Sequence, residues 1–406
     1  MHRRKALGLL GGTALTAWIG GIPVALAQAA TSKRFVFVIL RGALDGLAAV
    51  PPYADRDYLS VRGSLALKAP GESDGMLDLD GRFGLHPSLQ PLQAMFQARE
   101  LAVVHAVATP YRSRSHFDGQ DLLENGTTRP RGAADGWLNR AIGLMGRSDQ
   151  RVGLAVGQVV PLVLRGPNPV GSWAPQQMPE LNSDFLARLV RLYGPDPVLG
   201  PAINEGIRAQ HLADAVLRDD GRMDSGGGGG RMEANAPRGP RSVAAAAQAV
   251  GRLLAAPQGA RVAVLEIGGW DTHSAQNNRL APVLRMLADG LVALKTGLGP
   301  AWSETVAVIA TEFGRTAAPN GTNGTDHGTA SVAFVLGGKV AGGKVAGTWP
   351  GLGRLFENRD LAPTTDLTSV LKAALIGHLG LPAAAVDRVI FPDSAAARAL
   401  PELIRT

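Results

Sequence analysis

Acidic and imidazole side chains recur just beyond a series of short apolar runs. The run "RFVFVIL" (34–40) leads into "RGALDGLAAVPPY", which carries Asp45. After "LAVVHAV" (101–107) comes "ATPYRSRSHFDGQDLLENG", with Arg112, Ser113, Arg114, Ser115, His116 and Asp118. Beyond "RVAVLEIGG" (261–269) lie Asp271 and His273 in "WDTHSAQ". "TVAVIAT" (305–311) is followed by Glu312 and Arg315, and then by a Gly/Asn/Thr-rich stretch ending in Asp326-His327. Carboxylates and imidazoles are ligands for Zn²⁺ or Mn²⁺, with Mg²⁺ or Ca²⁺ the alternatives at an oxygen-rich site. Asp271 and His273 stand two residues apart. In an extended segment their side chains point the same way and can grip one ion.

Each group also has a plainer reading. Asp45 suits a turn or a helix N-cap. Ser115 opens "SHFD", a helix start with an acid three residues on. Glu312 and Arg315 are spaced for a local ion pair. His86 and His105 read as structural. His378, in "ALIGHLGLP", reads as a helix C-terminal residue, where an imidazolium suits the dipole. The plain readings do not explain why the groups share one kind of position, the end of an apolar run.

The runs that must position them are rich in Val and Ile and do not alternate strictly, as in strands covered on both faces. "SVAFVLGG" (331–338) is a further such run. Helical patterns lie between them, near 87–99, 133–146, 181–193, 199–218, 242–256, 277–297 and 366–379. "RVGLAVG" and "PLVLRG" (151–166) predict an extra hairpin or edge strands. Strands alternating with helices predict an α/β three-layer sandwich with a mainly parallel central sheet. In such sheets ligands bind beyond the C-terminal strand ends, where these groups fall. The segment 219–242, with five consecutive glycines, predicts a disordered insertion within one domain spanning 30–406.

Composition narrows the function. The chain has 406 residues, 45% hydrophobic and 18% charged, consistent with a real core. It has no cysteine, which excludes disulfides, thiolate-bound metals and thiol catalysis. Basic runs with interleaved aromatics are missing, so nucleic acid is not an expected partner. The first 29 residues have a basic head, an apolar stretch and Ala-x-Ala sites, the layout of a cleaved secretory leader. Arg3-Arg4 followed by Leu7 resembles a twin-arginine signal, which implies the twin-arginine export machinery and a periplasmic or otherwise exported protein. After cleavage no transmembrane anchor is expected. The net charge of +7 then falls by Arg3, Arg4 and Lys5 to +4.

"LRGALDGLAAVPPY", "RSHFDGQDLLENG", "GGWDTH", "TEFGRT" and "NGTDHG", in this order behind that leader, resemble the bacterial domain-of-unknown-function family 1501. This family is sulfatase-like and belongs with the alkaline-phosphatase superfamily. The resemblance covers about 34–380. It implies a two-metal hydrolase of a phosphate or sulfate ester, on a small-molecule or polymer substrate. Asp45, Asp271, His273, Asp326 and His327 match metal ligands. Ser115 or Ser113 matches the nucleophile, with Arg112 or Arg114 and a helix N-terminus holding the anion. His116 is a third nitrogen ligand or the acid for the leaving group. Glu312 directly follows its strand where the superfamily places the Asp-His pair, so it competes for a ligand role. Without cysteine, formylglycine made from it is excluded. The alternative reading is a non-catalytic metal- or anion-binding protein of the same fold.

Overall fold

A computed structural model describes residues 32–146, 152–157, 159–174 and 240–405, with short pieces elsewhere. The leader expected at 1–29 lies outside the described residues, save a short antiparallel pair, Thr16–Ile19 with Ile22–Ala25. The helical patterns at 181–193 and 199–218 also fall outside them, apart from a few residues. So does the Gly-rich segment as far as residue 239. Among the described residues no helix is long and apolar enough to cross a membrane.

The strands of the central sheet are β1 (Arg34–Arg41), β2 (Leu101–Ala108), β3 (Gly153–Val156), β4 (Val170–Trp173), β5 (Val262–Gly268), β6 (Thr305–Thr311), β7 (Ser331–Leu336), β8 (Lys344–Ala346) and β9 (Thr365–Asp366). Their order is β8-β2-β7-β6-β1-β5-β3-β4, with β9 also paired to β2. All pairings are parallel except those of β7, which runs antiparallel to both β6 and β2. The 151–166 segment forms one inner strand and a 3-10 turn rather than a hairpin, and the outer edge is β4, which the apolar pattern did not single out.

Among the described residues the main helices are α1 (Gly46–Ala49), α2 (Tyr58–Arg62), α3 (Gln90–Gln97), α4 (His116–Asn125), α5 (Trp137–Leu144), α6 (Pro240–Ala255), α7 (Gln276–Leu298) and α8 (Leu367–Lys372), which runs on into a π-helical turn at Ala373–His378. Strand β1 shows why its sequence is apolar throughout. Val36, Val38 and Leu40 face a core built with α3, α6 and α7. Phe35, Phe37 and Ile39 face the opposite core, with α5, α8 and Phe391. Period-two side chains on a sheet sandwiched between helices leave no polar face.

Register sets the working edge. Leu40 of β1 pairs with Thr311 of β6, and Arg41 of β1 pairs with Gly268 of β5. These three strands therefore end at one level. Strand β7 runs the other way, with its first residue, Ser331, opposite Val107 near the end of β2. Residues preceding β7 thus reach the same edge as residues following the parallel strands.

On the opposite core, Trp137 is fully buried, edge-on to Phe35 and Phe37, with its indole N–H donating to Leu123 O at 3.0 Å. Trp137→Ala removes this anchor. Urea denaturation is expected to show a loss of about 3–5 kcal/mol, with the chemistry at the far sheet edge unchanged.

Candidate metal centre

The four regions read from the sequence do meet at that edge, with a division of labour. His116 is the first residue of α4. Its Nε2 lies 2.9 Å from His327 Nε2 and 3.6 Å from Asp271 Oδ2. His273 Nε2 lies 3.1 Å from His327 Nε2 and 2.9 Å from Asp271 Oδ1. His327 Nε2 is 3.4 Å from Asp271 Oδ1. Ligand atoms of His116, Asp271 and His327 all lie within 4.8 Å of one another, close enough for one ion. The donor set, imidazole nitrogen plus carboxylate, fits a divalent transition metal. As the two-residue spacing predicts, Asp271 and His273 point to the same place.

The other ring nitrogens face oxygen. His116 Nδ1 is 2.7 Å from Glu312 Oε1, His273 Nδ1 is 3.0 Å from Asp326 Oδ1, and His327 Nδ1 is 2.9 Å from the Arg114 carbonyl. Arg114 reaches this position in the left-handed region, at φ 59°. Glu312 is fully buried. Its carboxylate also accepts from Gly42 N, Gln120 Nε2 and Thr311 Oγ1 at 2.9, 3.1 and 2.8 Å. Asp326 accepts a second bond from Asn320 Nδ2 at 3.0 Å.

Electrostatics follow from these partners. The hydrogen bond to Glu312 raises the proton affinity of His116 above that of an ordinary imidazole, against the effect of burial. Burial pushes the Glu312 carboxyl up, but bonds from His116, Gln120 and Thr311 outweigh it and keep the group ionised. Asp271 is likewise opposed by burial, and Arg315 holds it below the usual carboxylate range. The Asn320 and His273 bonds do the same for Asp326. Burial lowers the pKa of His327.

Arg315 and Glu312 each find a distant partner. The buried Arg315 guanidinium donates to Asp271 Oδ1, to Thr325 O and, at 3.1 Å, to Thr325 Oγ1. The stretch between β6 and β7 is closed by backbone bonds, Gly314 N to Thr329 O at 2.9 Å and Thr316 N to Asp326 O at 2.9 Å. Its glycines permit close approach. A Cβ at Gly324 would lie 2.1 Å from the His273 carbonyl carbon, and one at Gly328 would lie 2.3 Å from that of Arg315. The composition that reads as a flexible loop is what lets two backbones pass in contact.

Asp45 has a different setting. It is buried, caps α1 through Ala48 N at 3.1 Å, and accepts from Arg62 Nη2 at 2.7 Å and Gln276 Nε2 at 2.6 Å. The plain N-cap reading describes it. Gln276 Oε1 accepts from Thr325 Oγ1 at 2.6 Å, so Asp45 braces the loop that holds Arg315 and Asp271. Ser115 stands at the N-cap of α4, yet among the described residues its side chain makes no capping bond. Ser113 is exposed. The Arg114 guanidinium turns to Asp360 Oδ2 at 2.9 Å and to Glu357, and Arg112 donates to the Tyr111 carbonyl at 2.8 Å.

His86 accepts from Ser88 N at 3.0 Å and His105 Nε2 faces Val50 O at 2.9 Å, both structural as read. His378 departs from its reading as an imidazolium. It is buried against Arg34 O at 2.9 Å, and burial pushes its pKa down to about 4, leaving it neutral. The supporting amides Gln120 and Gln276 were missed. Gln120 carried a signal, since it lies four residues past His116 on one face of α4.

Asp45→Ala is expected to leave the buried Arg62 without its anion and to cost about 3–5 kcal/mol of stability in urea denaturation. Elemental analysis of the folded variant should show unchanged metal content. Loss of metal would make Asp45 a ligand.

No curated protein matches the chain. Among solved structures it is similar to the zinc complex of the C-terminal periplasmic domain of EcEptC from Escherichia coli. The identity is 11%, over 76% of this chain and 74% of that one, with a TM-score of 0.34. It is also similar to the phosphonate monoester hydrolase of Agrobacterium radiobacter, at 13% identity over 86% and 74%, with a TM-score of 0.31. The alkaline phosphatase of the Antarctic bacterium TAB5 is similar at 10% identity over 75% and 91%, with a TM-score of 0.32. The family described as protein of unknown function (DUF1501) matches residues 32–390, and the chain belongs to that family.

Proposed function

We propose that the protein is an exported, metal-dependent hydrolase of a phosphate or sulfate ester. One observation carries this reading. A cluster of metal-ligating side chains begins at His116, the first residue of α4, and among the described residues that helix start has no side-chain cap. An uncapped helix N-terminus offers backbone N–H groups to an anion. A divalent ion held by His116, His327 and Asp271 would add positive charge and acidify a nucleophilic hydroxyl. Arg315 keeps Asp271 ionised for that role. Ser115, adjacent to His116, is the nearer candidate nucleophile in sequence, and exposed Ser113 is the other. The basic and apolar leader supports an exported location.

A second reading, metal binding without turnover, is favoured by the Arg114 guanidinium. Its contacts with Asp360 and Glu357 already supply carboxylate partners in place of a substrate anion. Aryl phosphates, phosphodiesters and aryl sulfates separate the two readings. The hydrolase reading expects turnover of at least one ester, lost on chelation and restored by Zn²⁺ or Mn²⁺. It also expects His116→Ala and His327→Ala to lose metal and turnover together. Stoichiometric metal with no turnover on any ester would leave the binding reading.

A further inference from the structure

We propose that the cluster takes a single zinc-type ion, held by His116, His327 and Asp271 with one coordination position left open, and that Glu312 and Asp326 position the histidines rather than binding an ion. The inference rests on the metal-dependent reading above and deepens it, replacing the two-ion arrangement that the resemblance implies.

The tautomers carry the argument. The Arg114 carbonyl can only accept, so His327 Nδ1 must be its donor at 2.9 Å. Ionised carboxylates also only accept, so His116 Nδ1 donates to Glu312 and His273 Nδ1 donates to Asp326. A neutral imidazole has one N–H. In that neutral form, the one that ligates a metal, each ring presents a bare Nε2 lone pair, and the lone pairs face one another and Asp271.

Bare nitrogens 2.9 and 3.1 Å apart, with a carboxylate oxygen at 2.9 Å, repel unless something positive sits among them. One cation among His116, His327 and Asp271 meets their lone pairs together, where protons would have to meet them pair by pair. Among His116, His327 and Asp271 the separations of 2.9, 3.4 and 3.6 Å match one face of a tetrahedron of ligands about 2.0–2.1 Å from zinc, whose edge is about 3.3 Å.

Charge agrees. Three carboxylates, Asp271, Glu312 and Asp326, stand against one guanidinium, Arg315, and the two negative charges left over are those a divalent ion cancels. Two imidazoles to one carboxylate select a borderline transition ion over Mg²⁺ or Ca²⁺, which take oxygen ligands. Carboxylates that fix the far nitrogen of a ligating histidine are a recurrent outer shell. Glu312 is itself held by Gln120, whose Oε1 accepts from Arg41 Nη1 at 3.1 Å.

The test uses the full mature chain, stripped of metal and titrated with Co²⁺ as a spectroscopic substitute for zinc. One Co²⁺ per chain with intense visible absorption is expected. Two ions per chain, or a pale six-coordinate spectrum, would overturn the proposal. His273→Ala should keep one Co²⁺ per chain, and complete loss of binding in the folded variant would make His273 a ligand. Glu312→Gln and the more exposed Asp326→Asn should keep one tetrahedral Co²⁺ with affinity lower by about 10–100-fold. Complete loss of binding in a folded variant of either would make that carboxylate a ligand. Turnover with two ions would sink this proposal and leave the hydrolase reading standing. One tetrahedral ion without turnover would do the reverse.

Discussion

The buried guanidinium of Arg315 is the constraint on which the working edge depends. A charge taken out of water must be paired, and Arg315 reaches both Asp271, beyond β5, and Thr325, before β7. That choice ties together two loops from opposite sides of β1 and β6. The tie extends inward. Thr325 shares Gln276 with Asp45, and Asp45 holds the buried Arg62. Arg62 in turn donates to Ala317 O at 2.9 Å, in the same loop as Arg315. Among the described residues its Nε is the one guanidinium nitrogen buried without a partner. The result is a closed circuit in which two ion pairs, Asp271–Arg315 and Asp45–Arg62, are joined through the neutral Thr325 and Gln276. Breaking one member of such a buried pair costs more than the pair contributes, because the survivor is left uncompensated.

Above the circuit the carboxylates face two ways. Asp271 points at the Nε2 atoms, and Glu312 and Asp326 point at Nδ1 atoms. Rings held by their far nitrogens cannot rotate away, so their near nitrogens stay gathered around Asp271 in the folded chain, as the proposed cation site requires. Burial of apolar surface on both faces of the sheet stabilises the fold that holds them there.

Much of this was legible beforehand. The both-sided burial of β1 is visible in "RFVFVIL", and the gathering of acids and histidines at strand ends follows from parallel topology. The antiparallel course of β7 was not legible. It is what returns Asp326 and His327 to the edge fourteen residues after Glu312, so the long spacing between them costs no convergence. The Gly/Asn/Thr composition reads as flexibility because sequence does not show that Gly324 and Gly328 lie against other backbones. Asp45 matched a metal ligand by motif, yet its donors come from α2 and from residue 276, and no pattern around residue 45 announces either.

The sequence by itself determined the chemical inventory. It has no thiol, it supplies carboxylates and imidazoles after apolar runs, and its strands need cover on both faces. Tertiary structure alone decided what each carboxylate does. Asp45, Asp271, Glu312 and Asp326 are chemically alike, and their roles diverge because a carboxylate's function is set by the donors within about 3 Å of it. Those donors lie as far as 270 residues away along the chain, as Gly42 does from Glu312, a distance at which spacing carries no information.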